Sequence, residues 1–279
     1  MNPAIYYLSS FKRNEGLLYA YSLRRVVPGY TGPGIQVRRG TGTTTASFQD
    51  FHFNSSGELD QAAILSFVGA GAVGYVRTLY DQTGSGVDLG PIGAVVTREP
   101  RIVNSGSPAG SIVTKNGKIA MSFVAGGFNY LRTVTTLTHD VNNLSIFVVL
   151  SNTNLTLTQP CVTINNSGSV SEITFPRSFG GSDYYNYNAG DAIVLGTTTT
   201  DNKVYSSLST PTSISSFKNN VISSGSPLAN VNPAIGKSIT LGYTTSNFIG
   251  TVQEVLIYEN QKFNRSAITA EIMSYYSIV

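Results

Sequence analysis

Few residues in this chain are of types that do covalent chemistry, and their spacing serves it poorly. Its 279 residues include two histidines and one cysteine. His52 and His139 lie far apart, and neither falls in a metal-ligand spacing, so ordinary hydrogen-bonded histidines are expected. The lone Cys161 excludes an intrachain disulfide and any zinc site built on cysteine pairs. No Gly-x-Ser-x-Gly elbow is present, and the glycine-rich turns lack the lysine of a phosphate loop. Glycoside hydrolysis with retention needs two carboxyl groups about 5 Å apart, one protonated and one ionised. Glu172, in Ser169-Val170-Ser171-Glu172-Ile173, is the one glutamate of the central stretch and has no neighbouring aspartate. No catalytic residue, metal site or cofactor is therefore expected.

Binding chemistry is better represented. Ser182-Asp183-Tyr184-Tyr185-Asn186-Tyr187-Asn188-Ala189-Gly190-Asp191 alternates aromatic rings with amides and carboxylates. Sugars are gripped by an aromatic face on their C–H side and by amides or carboxylates on their hydroxyls. Tyr184, Tyr185, Asn186 and Tyr187 are the candidate glycan-binding residues, on what reads as a loop. The same tyrosines also suit a loop base or a subunit contact, where tyrosine is enriched. Asp183 and Asp191 supply too few of the ~6–8 oxygens that calcium requires.

These residues must be positioned by β-structure. Gly74 to Tyr80 alternates β-branched and aromatic types and reads as a strand. Asp81-Gln82-Thr83-Gly84-Ser85-Gly86 then turns, with Gly84 and Gly86 free to take positive φ and the Asp81 and Gln82 side chains free to satisfy backbone groups. Asp81 is thus expected to form a turn rather than to catalyse. Leu17 to Val27 reads as a short helix stopped by Pro28-Gly29, and Ile35 to Arg39 as a strand. Ser55-Ser56-Gly57-Glu58 has capping-box spacing ahead of a helical face of Leu59, Ala62, Ala63 and Phe67. From Ile92 onward, short β-rich runs broken by Gly, Asn and Ser are the pattern of a sandwich or barrel. Asn116-Gly117 signals a hairpin, and the uniformly apolar Ser145 to Leu150 predicts a central strand buried on both faces. Ser213 to Ser224 fits either a strand or a loop. Ile268, Ile272, Tyr275, Tyr276 and Val279 predict a terminal helix with one face on the sandwich.

Five motifs fall in one order: Ala20-Tyr21-Ser22-Leu23-Arg24-Arg25, Tyr30-Thr31-Gly32-Pro33, Ile35-Gln36-Val37-Arg38-Arg39, Leu59 to Gly69, and Tyr80-Asp81-Gln82. Over roughly residues 17 to 90 they resemble the N-terminal half of the catalytic domain of family 54 α-L-arabinofuranosidases and the similar concanavalin A-like, laminin-G-like domains of tailed-phage structural proteins. Phe248 to Tyr258 with the helix after it resembles the closing strand and helix of laminin-G-like domains. The resemblance implies an all-β, concanavalin A-like jelly-roll sandwich with a few short helices. It also implies a catalytic carboxylate in a turn before the closing strand, where this chain reads Leu241-Gly242-Tyr243-Thr244-Thr245-Ser246-Asn247. Thr244 or Thr245 stands in the acid's place, Glu254 and Glu259 lie beyond the turn, and the adjacent cysteines of those enzymes are reduced to Cys161. The expectation is a non-catalytic protein, with the role of Glu172 as a relic left open; the alternative is an arabinofuranosidase-like glycoside hydrolase.

Composition points to the setting. Charged residues make up 12%, against about 25% in an average domain. The surface must then be built from Ser, Thr, Asn, Gly and Tyr, which suits an assembly or a neutral sugar ligand. The net charge is +3, and Lys12-Arg13, Arg24-Arg25 and Arg38-Arg39 form scattered pairs rather than a stripe. Nucleic acid is not expected as a partner. No apolar run reaches the ~20 residues of a membrane span, and no secretory leader is read, so membrane association is not expected and the chain is expected to start at or near Met1. Residues 1–15 read as an arm whose Ile5-Tyr6-Tyr7-Leu8 could dock on a neighbour, and 16–279 as one sandwich domain. The expected role is a virion protein of a tailed phage, in capsid decoration or a fibre. It would be held to other virion proteins by the arm, form a homo-oligomer, and attach to a host-surface glycan.

Overall fold

In a computed structural model of the protein, the residues described are 15–40, 47–91, 99–105, 110–125, 129–133, 135, 137, 143–155, 159–165, 173–187, 191–210, 213–227, 237–242, 248–259 and 264–279. The first strands are β1 (Leu17–Ser22), β2 (Pro33–Arg39), β3 (Ser47–His52), β4 (Gly74–Leu79) and β5 (Leu89–Gly90), with helix α1 (Gln61–Val68) between β3 and β4. Short strands follow: β6 (Arg101–Asn104), β7 (Ser111–Ile112), β8 (Thr114–Lys115), β9 (Lys118–Ile119), β10 (Met121–Phe123) and β11 (Tyr130–Thr133). The longer ones are β12 (Leu144–Asn152), β13 (Gln159–Asn165), β14 (Ile173–Phe179), β15 (Ser182–Tyr187), β16 (Asp191–Thr197), β17 (Lys203–Thr210), β18 (Ser213–Lys218), β19 (Val221–Pro227), β20 (Ser238–Gly242) and β21 (Gly250–Glu259), before helix α2 (Arg265–Tyr275).

All the strand pairings are antiparallel, and the strands form the expected all-β sandwich. One layer runs β3-β2-β4-β6-β10-β21-β12-β17-β18-β19, with β1 beside β10 on the same edge of β21. The other runs β5-β11-β20-β13-β14-β15-β16. They join at one corner, where Leu79 opposes Leu89. Period-two alternation sends Ile146, Val148 and Leu150 of β12 into the core between the layers, with Leu131, Val162, Phe175, Ile239 and Leu241 from the facing layer. Phe147 and Val149 point the other way, into a second cluster closed by Ile268, Ile272 and Tyr276 of α2 and its C-cap. Ser145 to Leu150 is therefore buried on both faces, as its composition predicts. Among the described residues no helix is long and apolar enough to cross a membrane.

Three expectations need correction. Leu17 to Ser22 is not helical: it is β1, paired with β21, with Tyr19 and Tyr21 in the inner core and Ala20 in the outer cluster. Pairing with a central strand decides the conformation here over local propensity. Ser55 to Glu58 is a turn rather than a capping box. Gly57 takes φ +82, Asn54 Oδ1 accepts from the Ser56 and Glu58 amides, and Glu58 is drawn off to Lys118 and Tyr275. The helix starts later, with Asp60 accepting from the Ala63 amide at 3.0 Å. Val279 is exposed, because the helix ends at Tyr275 and Ser277 turns at φ +51. The undecided segment Ser213 to Ser224 is a hairpin, β18 and β19, turning at Asn219 and Asn220 with φ of 46 and 69.

The turn after β4 does more than reverse the chain. β21 holds one edge of β1, and side chains from the turn serve the other. Asp81 Oδ1 accepts from the Ala20 amide at 2.7 Å. Gln82 Nε2 donates to the Ser22 and Arg24 carbonyls at 3.1 and 2.8 Å, and its Oε1 accepts from the Val26 amide at 2.8 Å. Asp81 also accepts from Thr83 and Ser85, which folds the turn around its carboxylate, and Gly84 and Gly86 take φ +79 and +74. Two buried side chains thus stand in for a missing neighbour strand.

The basic pairs divide by the same alternation. Arg38 is buried on Glu99, which also receives Arg77, while Arg39 faces outward. Arg24 makes two hydrogen bonds to Glu254, at 2.8 and 3.1 Å, and lies 4.0 Å over the Tyr275 ring. Burial works to lower the Arg24 pKa, but Glu254 beside it outweighs this and holds the guanidinium charged.

Gln82→Ala removes three buried hydrogen bonds, each worth about 1 kcal/mol and more where a backbone group is left bare. A loss of roughly 3 kcal/mol is expected in urea unfolding. A loss below about 1 kcal/mol would mean that β1 does not depend on this side chain.

Candidate functional site

The segment bearing the candidate glycan residues is a strand, not a loop. Ser182 to Tyr187 forms β15, with Tyr184, Tyr185, Asn186 and Tyr187 opposite Val194, Ile193, Ala192 and Asp191 of β16. Tyrosine favours strands, and three in four positions outweigh the polar residues around them. The side chains of these four residues lie outside the described residues.

What fixes β15 is its second residue. Asp183 is fully buried and accepts hydrogen bonds from Thr198 Oγ1 at 2.8 Å and from Tyr205 Oη. Burial first, and then the Asp183 charge, push the Tyr205 phenol well above its ordinary pKa, so it stays protonated and donates. The Tyr205 ring meets Phe175 edge-on at 6.3 Å. The carboxylate thereby ties β15 to β17 and to the loop after β16. Asp183 acts as this anchor rather than as a cation ligand.

Beside the tyrosine-bearing strand is an open groove of about 640 Å³, lined by Val194, Leu195, Gly196, Lys218, Asn219, Val221 and Ile222. Val194, Val221 and Ile222 are 51%, 69% and 62% exposed. The β18–β19 turn forms one wall and β16 the other. An open, partly apolar groove one strand from a run of tyrosines suits the C–H face of a sugar ring.

Other candidates fall elsewhere. Cys161 is buried in the core and burial pushes its thiol pKa up, which leaves it unreactive at neutral pH. His52 Nδ1 lies 3.2 Å from the Thr31 carbonyl, an ordinary surface contact. Glu254 is committed to Arg24. Glu172, Thr244, Thr245, His139 and residues 1–14 lie outside the described residues. The groove was missed in the sequence because its walls come from β16 and the β18–β19 turn, which lie more than twenty residues apart. Val221-Ile222, apolar in a polar stretch, was the available signal.

No family model matches the chain, and no curated protein matches it. Solved structures do match in fold. A family 54 α-L-arabinofuranosidase soaked with a cyclic sulfate inhibitor superposes with a TM-score of 0.64 at 15% identity, over 98% of this chain and 65% of that one. An arabinofuranosidase complexed with arabinofuranosyl-α-1,2-xylobiose gives 0.66 at 13% identity, with the same coverage. The chain thus spans about two thirds of the length of the enzymes that it matches, and its fold is theirs. These matches overturn the expectation of a non-enzyme: the two structures that superpose along 98% of this chain are of arabinofuranosidases. The threonines on which that expectation was built are not among the described residues.

Asp183→Ala deprives two buried hydroxyls of a charged acceptor, at ~1.5–3 kcal/mol each. Urea unfolding should show a loss of about 4 kcal/mol, with a smaller loss for Tyr205→Phe. Equal stability of Asp183→Ala and the parent chain would remove the anchor role.

Proposed function

We propose that this chain engages a glycan through the β15–β16 side of the sandwich, and that it does so on the particle of a tailed phage. The observation that carries the glycan reading is the match along 98% of the chain to arabinofuranosidases, one of them holding an arabinofuranosyl xylobiose. The groove beside Tyr184, Tyr185, Asn186 and Tyr187 supplies a place for the sugar. The virion setting is supported by the low charge of the chain and by the resemblance of its ordered motifs to those of tailed-phage domains. In that setting residues 1–15 dock on other virion proteins, copies of the chain assemble together, and many weak sugar contacts add up once the first has formed.

A second reading, hydrolysis of an arabinofuranoside, is favoured by the same matches. Glu172 is its candidate carboxylate.

Titration with arabinofuranosyl-xylobiose followed by calorimetry tests the first reading. Tyr185→Ala is expected to weaken binding about tenfold, the loss of roughly one stacked ring, with the unfolding midpoint unchanged. No heat at millimolar sugar, or heat indifferent to every tyrosine of β15, would overturn the assignment. Release of 4-nitrophenol from 4-nitrophenyl α-L-arabinofuranoside, lost in Glu172→Gln, would establish the second.

A further inference from the structure

Three lysines from separate elements converge on one short loop. Lys115 Nζ, from β8, donates to the Thr200 carbonyl at 2.9 Å; Lys203 Nζ, from the start of β17, donates to Thr199 at 2.6 Å; Lys218 Nζ, from the end of β18, donates to Thr197 at 2.7 Å. The three carbonyls sit on a stretch at most about 11 Å long. Each ammonium has three donors, and its carbonyl takes one.

Among the described residues, the charges around them do not balance. The carboxylates acting on Lys203 are Asp183 and Asp201. Asp183 is enclosed by Tyr205 and Thr198, while Asp201 is exposed and receives the Thr199 hydroxyl at 3.0 Å. Carbonyl oxygens orient ammonium groups but carry no net charge to neutralise them. A fold that gathers three cations at one loop leaves them in mutual repulsion, which an incoming anion would relieve.

The groove leads to this cluster. Lys218 and Gly196 are part of its lining, and Val194, Val221 and Ile222 continue it as an apolar surface. Gly196 leaves the end near the lysine open, since a Cβ there would meet only Lys218 Nζ, at 4.0 Å. The site therefore pairs an apolar wall with a cationic end. We propose that the groove takes an acidic sugar, with its anionic group at Lys218 and Lys115, above the buried Lys203, and its C–H face on Val194, Val221 and Ile222. This rests on the reading that the chain engages a glycan, and it names the class.

Electrostatics gives the site a pH signature. Burial foremost, joined by Lys218 and Lys115 and opposed by Asp183 and Asp201, lowers the Lys203 pKa to about 8. Lys203 is charged below that value and loses its proton as pH rises through it. Binding of an anion should weaken several-fold from about pH 7 to about pH 9, where an unperturbed lysine would still be charged.

The test is calorimetric titration of the full chain with trigalacturonic acid, a heparin-derived tetrasaccharide, arabinofuranosyl-xylobiose and a single-stranded oligodeoxynucleotide. The first two separate a carboxylate from a sulfate as the preferred anion. An acidic sugar is expected to bind and to lose about tenfold in affinity in Lys218→Ala and in Lys115→Gln, with unfolding midpoints unchanged and the pH dependence described above. Binding of the neutral sugar alone, indifferent to both lysines, would overturn the acidic-sugar site and leave the glycan reading standing. Lysine-dependent binding of the oligonucleotide without either acidic sugar would overturn it in favour of a nucleic-acid site. Failure of all four probes would overturn both readings.

Discussion

The free edge of β1 is the constraint on which the rest of the sandwich depends. A strand at the middle of a sheet normally finds its second neighbour in another strand, and unmatched buried amides and carbonyls are costly. Here the second neighbour is a turn. Gln82 reaches the Ser22 and Arg24 carbonyls and the Val26 amide, while Asp81 takes the Ala20 amide. Because Asp81 also organises Thr83 and Ser85, the turn cannot loosen without exposing the strand it serves. The Arg24–Glu254 pair continues the same support toward α2, where Tyr276 Oη lies 3.2 Å from Glu254. Such a pair adds little over a well-packed apolar alternative, yet losing one partner costs about 3–5 kcal/mol. It therefore fixes register more than it adds stability.

Much of this fold was legible in the sequence, and the misses share a cause. The turn of Asp81, Gln82, Gly84 and Gly86 was readable because its residue types answer a local demand, positive φ and short-range acceptors. Ser145 to Leu150 was readable because a strand buried on both faces has no polar positions. Leu17 to Ser22 was misread because its conformation is set by β21, far along the chain, while its own residues fit either element. The capping-box spacing of Ser55 and Glu58 misled because Gly57 turns the backbone and Glu58 is claimed by Lys118 and Tyr275, contacts that no local rule contains.

The site was legible in kind and misplaced in form. The run of tyrosines with an asparagine marked β15 as a sugar-binding candidate, but its polar composition concealed a strand. Lys115, Lys203 and Lys218 are scattered singly in the sequence, and only the meeting of β8, β17 and β18 at one loop makes them a group. A pocket assembled from distant strands leaves no spacing to read.

The position of β21 has a consequence for how the chain acquires its structure. β21 is not an edge: it pairs with β12 on one side and with β1 and β10 on the other, and Ser22 of β1 stands opposite Glu254. The centre of this layer is therefore assembled from segments more than two hundred residues apart. Pairings of such separation are slow to find, because loop closure is completed before any contact rewards it. During synthesis β1 and β12 emerge long before residues 250–259, so their apolar faces wait for the strand that joins them. Until it arrives the layer is two incomplete halves, open to partners of the wrong kind. Folding of this sandwich is timed by a late strand inserted at its middle.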